Sequence, residues 1–151
     1  MRSPIRAIRG RKEGRINKKN RRKKILVVDD DVNVLTVVSD TLKSFGFGVK
    51  TANNAQEAMK ITDEGYPDLA LIDLRMPEMD GIELMHRIKM KNPRIPVVIC
   101  SGSLSVGTII KAFREGAADY IPKPFDMHDF KLTITNVFKD CYENKKLARL
   151  R

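Results

Sequence analysis

The 151 residues suffice for one domain with a full core, and the formal charge of +10 hides an uneven distribution. Met1 to Lys24 carries 12 of the 29 lysines and arginines against one acid, Glu13, whereas the rest holds 17 basic and 18 acidic residues and is close to neutral. The composition argues against a membrane span, a signal peptide and a disulfide framework: no apolar run is long enough, and Cys100 and Cys141 lack Cys-x-x-Cys spacing. Reduced cysteines in a cytoplasmic protein are expected.

From Lys24 onward, strand and helix signals alternate, and the strands are continuous apolar runs, as expected when helices cover both faces of a sheet. Ile25–Val28 reads as the first strand. The first helix is predicted over Val32–Phe45, with Asp31 as its cap and Val34, Leu35, Val38 and Leu42 as its apolar stripe. Gly46 and Gly48 bracket the turn into a weaker strand, Val49–Ala52. Asn54 caps a helix over Ala55–Glu64 that Gly65 and Pro67 stop. Asp68–Ile72 is the third strand, and Asp80 caps a helix over Gly81–Lys91. Ile95–Cys100 is the fourth strand. A helix over Leu104–Glu115 follows, softened at its start by Gly107. Ala118–Ile121 is the fifth strand. The last helix has Asp126 as its cap, with Phe125 and Phe130 at the two hydrophobic-staple positions, and its charged final segment has no Gly or Pro stop. Five βα units predict an α/β fold with one doubly wound parallel sheet of strand order 2-1-3-4-5, flavodoxin-like.

In such a sheet the carboxyl ends of the strands line one edge, where ligands bind. The first strand ends on Asp29 and Asp30, the third on Asp73, the fourth on Ser101 and the fifth on Lys123. Three carboxylates together are unfavourable unless a cation enters, and oxygen-only ligands suit Mg²⁺, with Mn²⁺ as the second hard ion. The fifth strand is two positions from the third, about 10 Å at ~4.8 Å per step, so a lysine stem is needed to reach across. Attack of a carboxylate on a phosphoryl donor fits this set, and Asp73, the lone acid in the middle, is the expected nucleophile.

Lys24 to about Lys139 resembles the receiver domain of bacterial two-component response regulators. The resemblance rests on Ile25-Leu26-Val27-Val28-Asp29-Asp30-Asp31, on Leu71-Ile72-Asp73-Leu74-Arg75-Met76-Pro77 with Met79-Asp80-Gly81, on Ser101-Gly102 and on Asp119-Tyr120-Ile121-Pro122-Lys123-Pro124-Phe125. It implies a phosphorelay switch in signal transduction. Asp73 would be the phosphoacceptor, Asp29, Asp30 and Asp73 the magnesium-binding acids, and the Arg75 backbone carbonyl a further ligand. Ser101 would be the switch hydroxyl, Lys123 the family's lysine, and Tyr120 the aromatic that turns with the hydroxyl. Arg75 and Ser103 occupy positions that tune phosphoryl lifetime, and Lys123-Pro124 matches a bond that is cis in the family. The implied partners are a sensor histidine kinase or phosphotransfer protein, and a second copy or an output domain on the face of the fourth helix, fifth strand and fifth helix. The only chemistry of its own would be self-phosphorylation from small donors and self-dephosphorylation.

These readings divide the chain into a basic arm (1–23, disordered by composition), a receiver (24–139) and an extension of the last helix (140–151) that would continue toward an output domain outside this chain or into a dimer contact. The arm also leaves open a nucleic-acid-binding protein with the receiver as scaffold or regulator. A phosphohydrolase using an aspartyl phosphate is disfavoured, because the place two residues after the nucleophile holds Arg75 rather than a second acid. His86 and His128 read as surface residues, and Met76 and Met79 as packing beside the site.

Overall fold

The computed structural model describes residues 21–149 except Met79 and Ser103. The expectations for the arm up to residue 20, for Ser103 and for Met79 therefore lie outside the described residues. The elements alternate as β1 (Lys24–Val28), α1 (Val32–Ser44), β2 (Gly48–Ala52), α2 (Ala55–Asp63), β3 (Leu69–Ile72), α3 (Gly81–Lys91), β4 (Val97–Ser101), α4 (Val106–Arg114), β5 (Asp119–Pro122) and α5 (Met127–Arg149). All strand pairs are parallel, in the order β2-β1-β3-β4-β5.

The apolar runs form strands because both sheet faces are covered. Along β1, β3 and β4, alternate side chains serve two cores. Leu26, Val28, Ala70, Ile72, Val97 and Ile99 pack with Ala58, Met85, Ile88 and Ala112 from α2, α3 and α4. Ile25, Val27, Leu69, Leu71, Val98 and Cys100 pack with Leu35, Val38, Leu42, Phe130 and Ile134 from α1 and α5. Caps set the helix starts. Asp31 accepts from the Asn33 and Val34 N–H groups, Asn54 from Glu57, Asp80 from Ile82 and Ser105 from Thr108. At α5 the staple is formed: the Phe125 and Phe130 rings stack at 4.5 Å, and the His128 N–H donates to the Asp126 carboxylate at 2.6 Å.

Two starts differ from the sequence reading by two residues. β4 begins at Val97 rather than Ile95, because Pro96 has no N–H for the ladder, although its carbonyl still accepts from Ala70 at 3.0 Å. α4 begins at Val106 rather than Leu104, because Ser105 takes the cap position. The Lys123–Pro124 bond is cis, as is Tyr66–Pro67, which was not anticipated. No helix among the described residues is long and apolar enough to cross a membrane.

Candidate functional site

The residues that follow the strands are tied by their backbones to neighbouring strands. The Asp29 N–H donates to the Ala52 carbonyl at 3.2 Å, the Asp73 N–H to Val28 at 3.0 Å and the Lys123 N–H to Ser101 at 3.0 Å. Each side chain is thus presented from a rigid element, which limits the freedom lost when the groups act together.

Their side chains meet as the sequence predicts. Asp73, 9% exposed, accepts from the Ser101 hydroxyl on Oδ1 at 2.6 Å and from the Lys123 ammonium on Oδ2 at 3.3 Å. Lys123 also pairs with Asp29 Oδ2 at 2.5 Å, so its stem spans from β5 across β4 and β3 to the acid after β1. Asp29 is 3% exposed and Ser101 fully buried. Asp30 is exposed at the mouth of the site. Ligand oxygens of Asp29, Asp30 and Asp73 lie within 4.8 Å of one another.

Burial lifts the Asp29 carboxyl above its ordinary value, and the Asp73 charge adds to this, against the lowering effect of Lys123 and the Asp31 N–H. For Lys123 burial acts downward. It is outweighed by the hydrogen bond to Asp29 and by the charges of Asp29 and Asp73, so the ammonium is held above its usual value. Cys100, behind the site on the α1/α5 face, is pushed up to about 12, chiefly by burial, and is a neutral core group rather than a nucleophile.

The single charge of Lys123 does not balance three carboxylates. The remaining negative charge and the all-oxygen donor set fit a small hard divalent cation. With a hydroxyl on one oxygen of Asp73 and an ammonium on the other, the site has the parts needed to accept a phosphoryl group at Asp73.

A family model described as the response regulator receiver domain matches residues 25–135. The chain belongs to this family. It is 44% identical over 111 residues to the transcriptional regulatory protein ZraR of Klebsiella oxytoca, covering 74% of this chain and 25% of that protein. It is 38% identical to the regulatory protein AtoC of Escherichia coli K12, covering 84% of this chain and 28% of the relative. The receiver thus spans about a quarter of the length of these relatives. Among solved structures, a CheY-like receiver domain protein from Methanospirillum hungatei superposes with a TM-score of 0.77 at 28% identity, covering 82% of this chain and 98% of that one. A receiver is a phosphoacceptor switch, and the fold and site of this chain fit that role.

Several features of this receiver site were not legible in its sequence. The Arg75 backbone N–H donates to Asp73 Oδ1 at 2.9 Å, a contact not anticipated beside the role expected for its carbonyl. Gly81 is required where it stands: a Cβ there would lie 2.7 Å from both the Asp73 carbonyl oxygen and Leu74 Cα. The half-buried Tyr120 donates its hydroxyl to the Ser101 carbonyl at 3.3 Å, the same oxygen that accepts from the Lys123 N–H. His86, read as a surface residue, is exposed, and it also pairs through Nε2 with Glu115 at 2.6 Å. Met76 packs against the α2/α3/α4 core as expected.

Proposed function

We propose that Asp73 accepts a phosphoryl group from a phosphohistidine on a sensor kinase or phosphotransfer protein, and that Ser101, Tyr120 and Lys123 convert this event into a change of surface. The observation that carries the reading is the pair of contacts on the Asp73 carboxylate, Ser101 on Oδ1 and Lys123 on Oδ2. An Asp73 oxygen attacks phosphorus, a P–O bond forms as the P–N bond breaks, and the imidazole leaves with the electron pair and takes up a proton. Lys123 and the Ser101 hydroxyl already lie against the carboxylate, so oxygens of an attached phosphoryl group fall within their reach without a large search.

Asp29, Asp30, Asp73 and the Arg75 backbone carbonyl would hold Mg²⁺, or Mn²⁺. A hard cation bound there supplies neutralisation of the charge on the equatorial phosphoryl oxygens. Small acyl phosphates would serve as alternative donors, and hydrolysis of the aspartyl phosphate would reset the switch. We place the tuning of its lifetime at Arg75 and Ser103.

Ser101 is the pivot of the proposed change. Its hydroxyl contacts the acceptor and its carbonyl receives Tyr120, so a shift of this residue is felt on β5. The face of α4, β5 and α5 is the proposed output and dimer surface, which the exposed apolar residues Val106, Ile110 and Phe113 on α4 support. In this reading the receiver is residues 24–139 of a cytoplasmic regulator, with 140–151 leading toward an output domain.

Intact mass after incubation with Mg²⁺ and acetyl phosphate tests the proposal. One added phosphoryl group is expected on the native protein, and none on Asp73→Asn or after chelation of the metal. An adduct of equal yield on Asp73→Asn would refute Asp73 as the acceptor.

A further inference from the structure

The opposite edge of the sheet carries a feature that phosphoryl transfer does not use. A groove of 590 Å³ lies where α5 passes the loop between α3 and β4, walled by Lys89, Arg94, Pro96, Cys141, Lys145 and Arg149, with no carboxylate among its lining residues. Pro96 and Ala118, also in its lining, directly precede β4 and β5, so the groove opens at the amino ends of the strands, away from the acid site. The basic N-terminal segment enters the fold at this same edge, through Lys24 at the head of β1. The Lys23 ammonium sits 5.9 Å from the centre of the Phe138 ring, on the same helix as Cys141. The Cys141 thiol lies within electrostatic reach of Lys145, Lys89 and Lys23, opposed by one acid, Asp140.

Basic residues at helix ends commonly complement the backbone dipole, and this accounts for Lys89 in the last turn of α3. It does not account for Arg94, which lies in a loop, or for the lack of acids along the groove. We propose that this basic edge binds the phosphate backbone of nucleic acid, with the groove as the contact. A concave channel with charged walls suits a phosphate backbone. A bilayer surface calls instead for apolar side chains that insert beside the charges. No aromatic residue lines the groove, so binding is through phosphates and independent of base sequence. The proposal does not depend on the chemistry at Asp73.

The test uses the full chain and a fluorescent DNA duplex of about 20 base pairs, with affinity followed by anisotropy between about 50 and 200 mM salt. The groove variant Arg94→Gln/Lys145→Gln/Arg149→Gln is expected to bind about tenfold or more weakly, and to flatten the slope of log K against log salt by about 2–3. A control variant with the same charge loss outside the groove, Lys60→Gln/Arg87→Gln/Lys111→Gln, is expected to bind nearly as the native chain does. Both sets of residues are exposed, so folding is preserved and circular dichroism should be unchanged. Absence of binding at the lowest salt, or equal loss in the two variants, would overturn the proposal. Displacement of the duplex by an equal charge of polyglutamate would assign the groove to an acidic polypeptide and overturn it as well.

Discussion

Helices α3 and α4 lie on the same face of the sheet and flank the same site, yet they are held very differently. α3 buries Gly81, Ile82, Leu84, Met85 and Ile88, and its first residue packs against the backbone of Asp73 and Leu74. α4 buries Ala112 alone and leaves Val106, Ile110 and Phe113 exposed. Apolar burial stabilises by about 25 cal/mol per Å², so α4 has far less to lose when displaced than α3. Its contact with α3 through His86 and Glu115 is a solvent-exposed polar pair, the kind that contributes about 1 kcal/mol or less. One side of the site is therefore anchored more firmly than the other. A switch needs both: a fixed acceptor, and a neighbour that shifts at small cost.

The largest test of this contrast is truncation in each helix. Ile88→Ala should lower the free energy of unfolding by about 2–5 kcal/mol, whereas Ile110→Ala should change it by about 0.5 kcal/mol or less. Equal shifts in urea midpoint would break the comparison. Gly81→Ala comes next. Its Cβ meets main-chain atoms that cannot yield, so a loss of about 1–3 kcal/mol is expected, together with slower phosphoryl uptake as the Asp73 loop is pushed aside.

The sheet core gives a control that does not involve α4. Burial pushes the Cys100 thiol up to about 12, above the ordinary thiol value of 9.0, so the native state binds the proton more tightly than the unfolded chain. Stability from this group is complete below pH 9 and should fall at up to about 1.4 kcal/mol per pH unit as pH rises toward 12. Lys123, also held above its usual value, acts in the same direction at the alkaline end. Denaturation of Cys100→Ala should show a shallower alkaline decline than the native chain, and an identical decline would remove Cys100 as its cause. The smallest effect belongs to Gly107→Ala. Nothing but the Ser105 hydroxyl, 3.9 Å away, faces the new methyl, so the substitution should stabilise α4 by about 0.5–1 kcal/mol and slow amide exchange in its first turn. Unchanged exchange would show that glycine is not what loosens this helix.

Much of this was readable along the chain. Apolar runs ending on Asp29, Asp73, Ser101 and Lys123 defined strands whose ends converge, because a parallel sheet brings its carboxyl ends to one edge. Caps such as Asp31, Asn54 and Asp80 fixed helix starts through purely local hydrogen bonds. The errors fell where local signals competed. Ile95 looks like strand and is buried, yet Pro96 interrupts the ladder, and Leu104 looks like helix although Ser105 is the better cap.

Local periodicity and chain order were enough to set the order of elements, the two-faced core and the convergence of Asp29, Asp73, Ser101 and Lys123 at one edge of the sheet. Tertiary structure decided which oxygen of Asp73 meets Ser101 and which meets Lys123, why position 81 admits no side chain, and that His86 finds Glu115. It also gathered Lys89, Arg94, Lys145 and Arg149 around one groove beside the root of the basic segment. These depend on distances between elements remote in sequence, and such distances are set only when the helices pack onto the sheet.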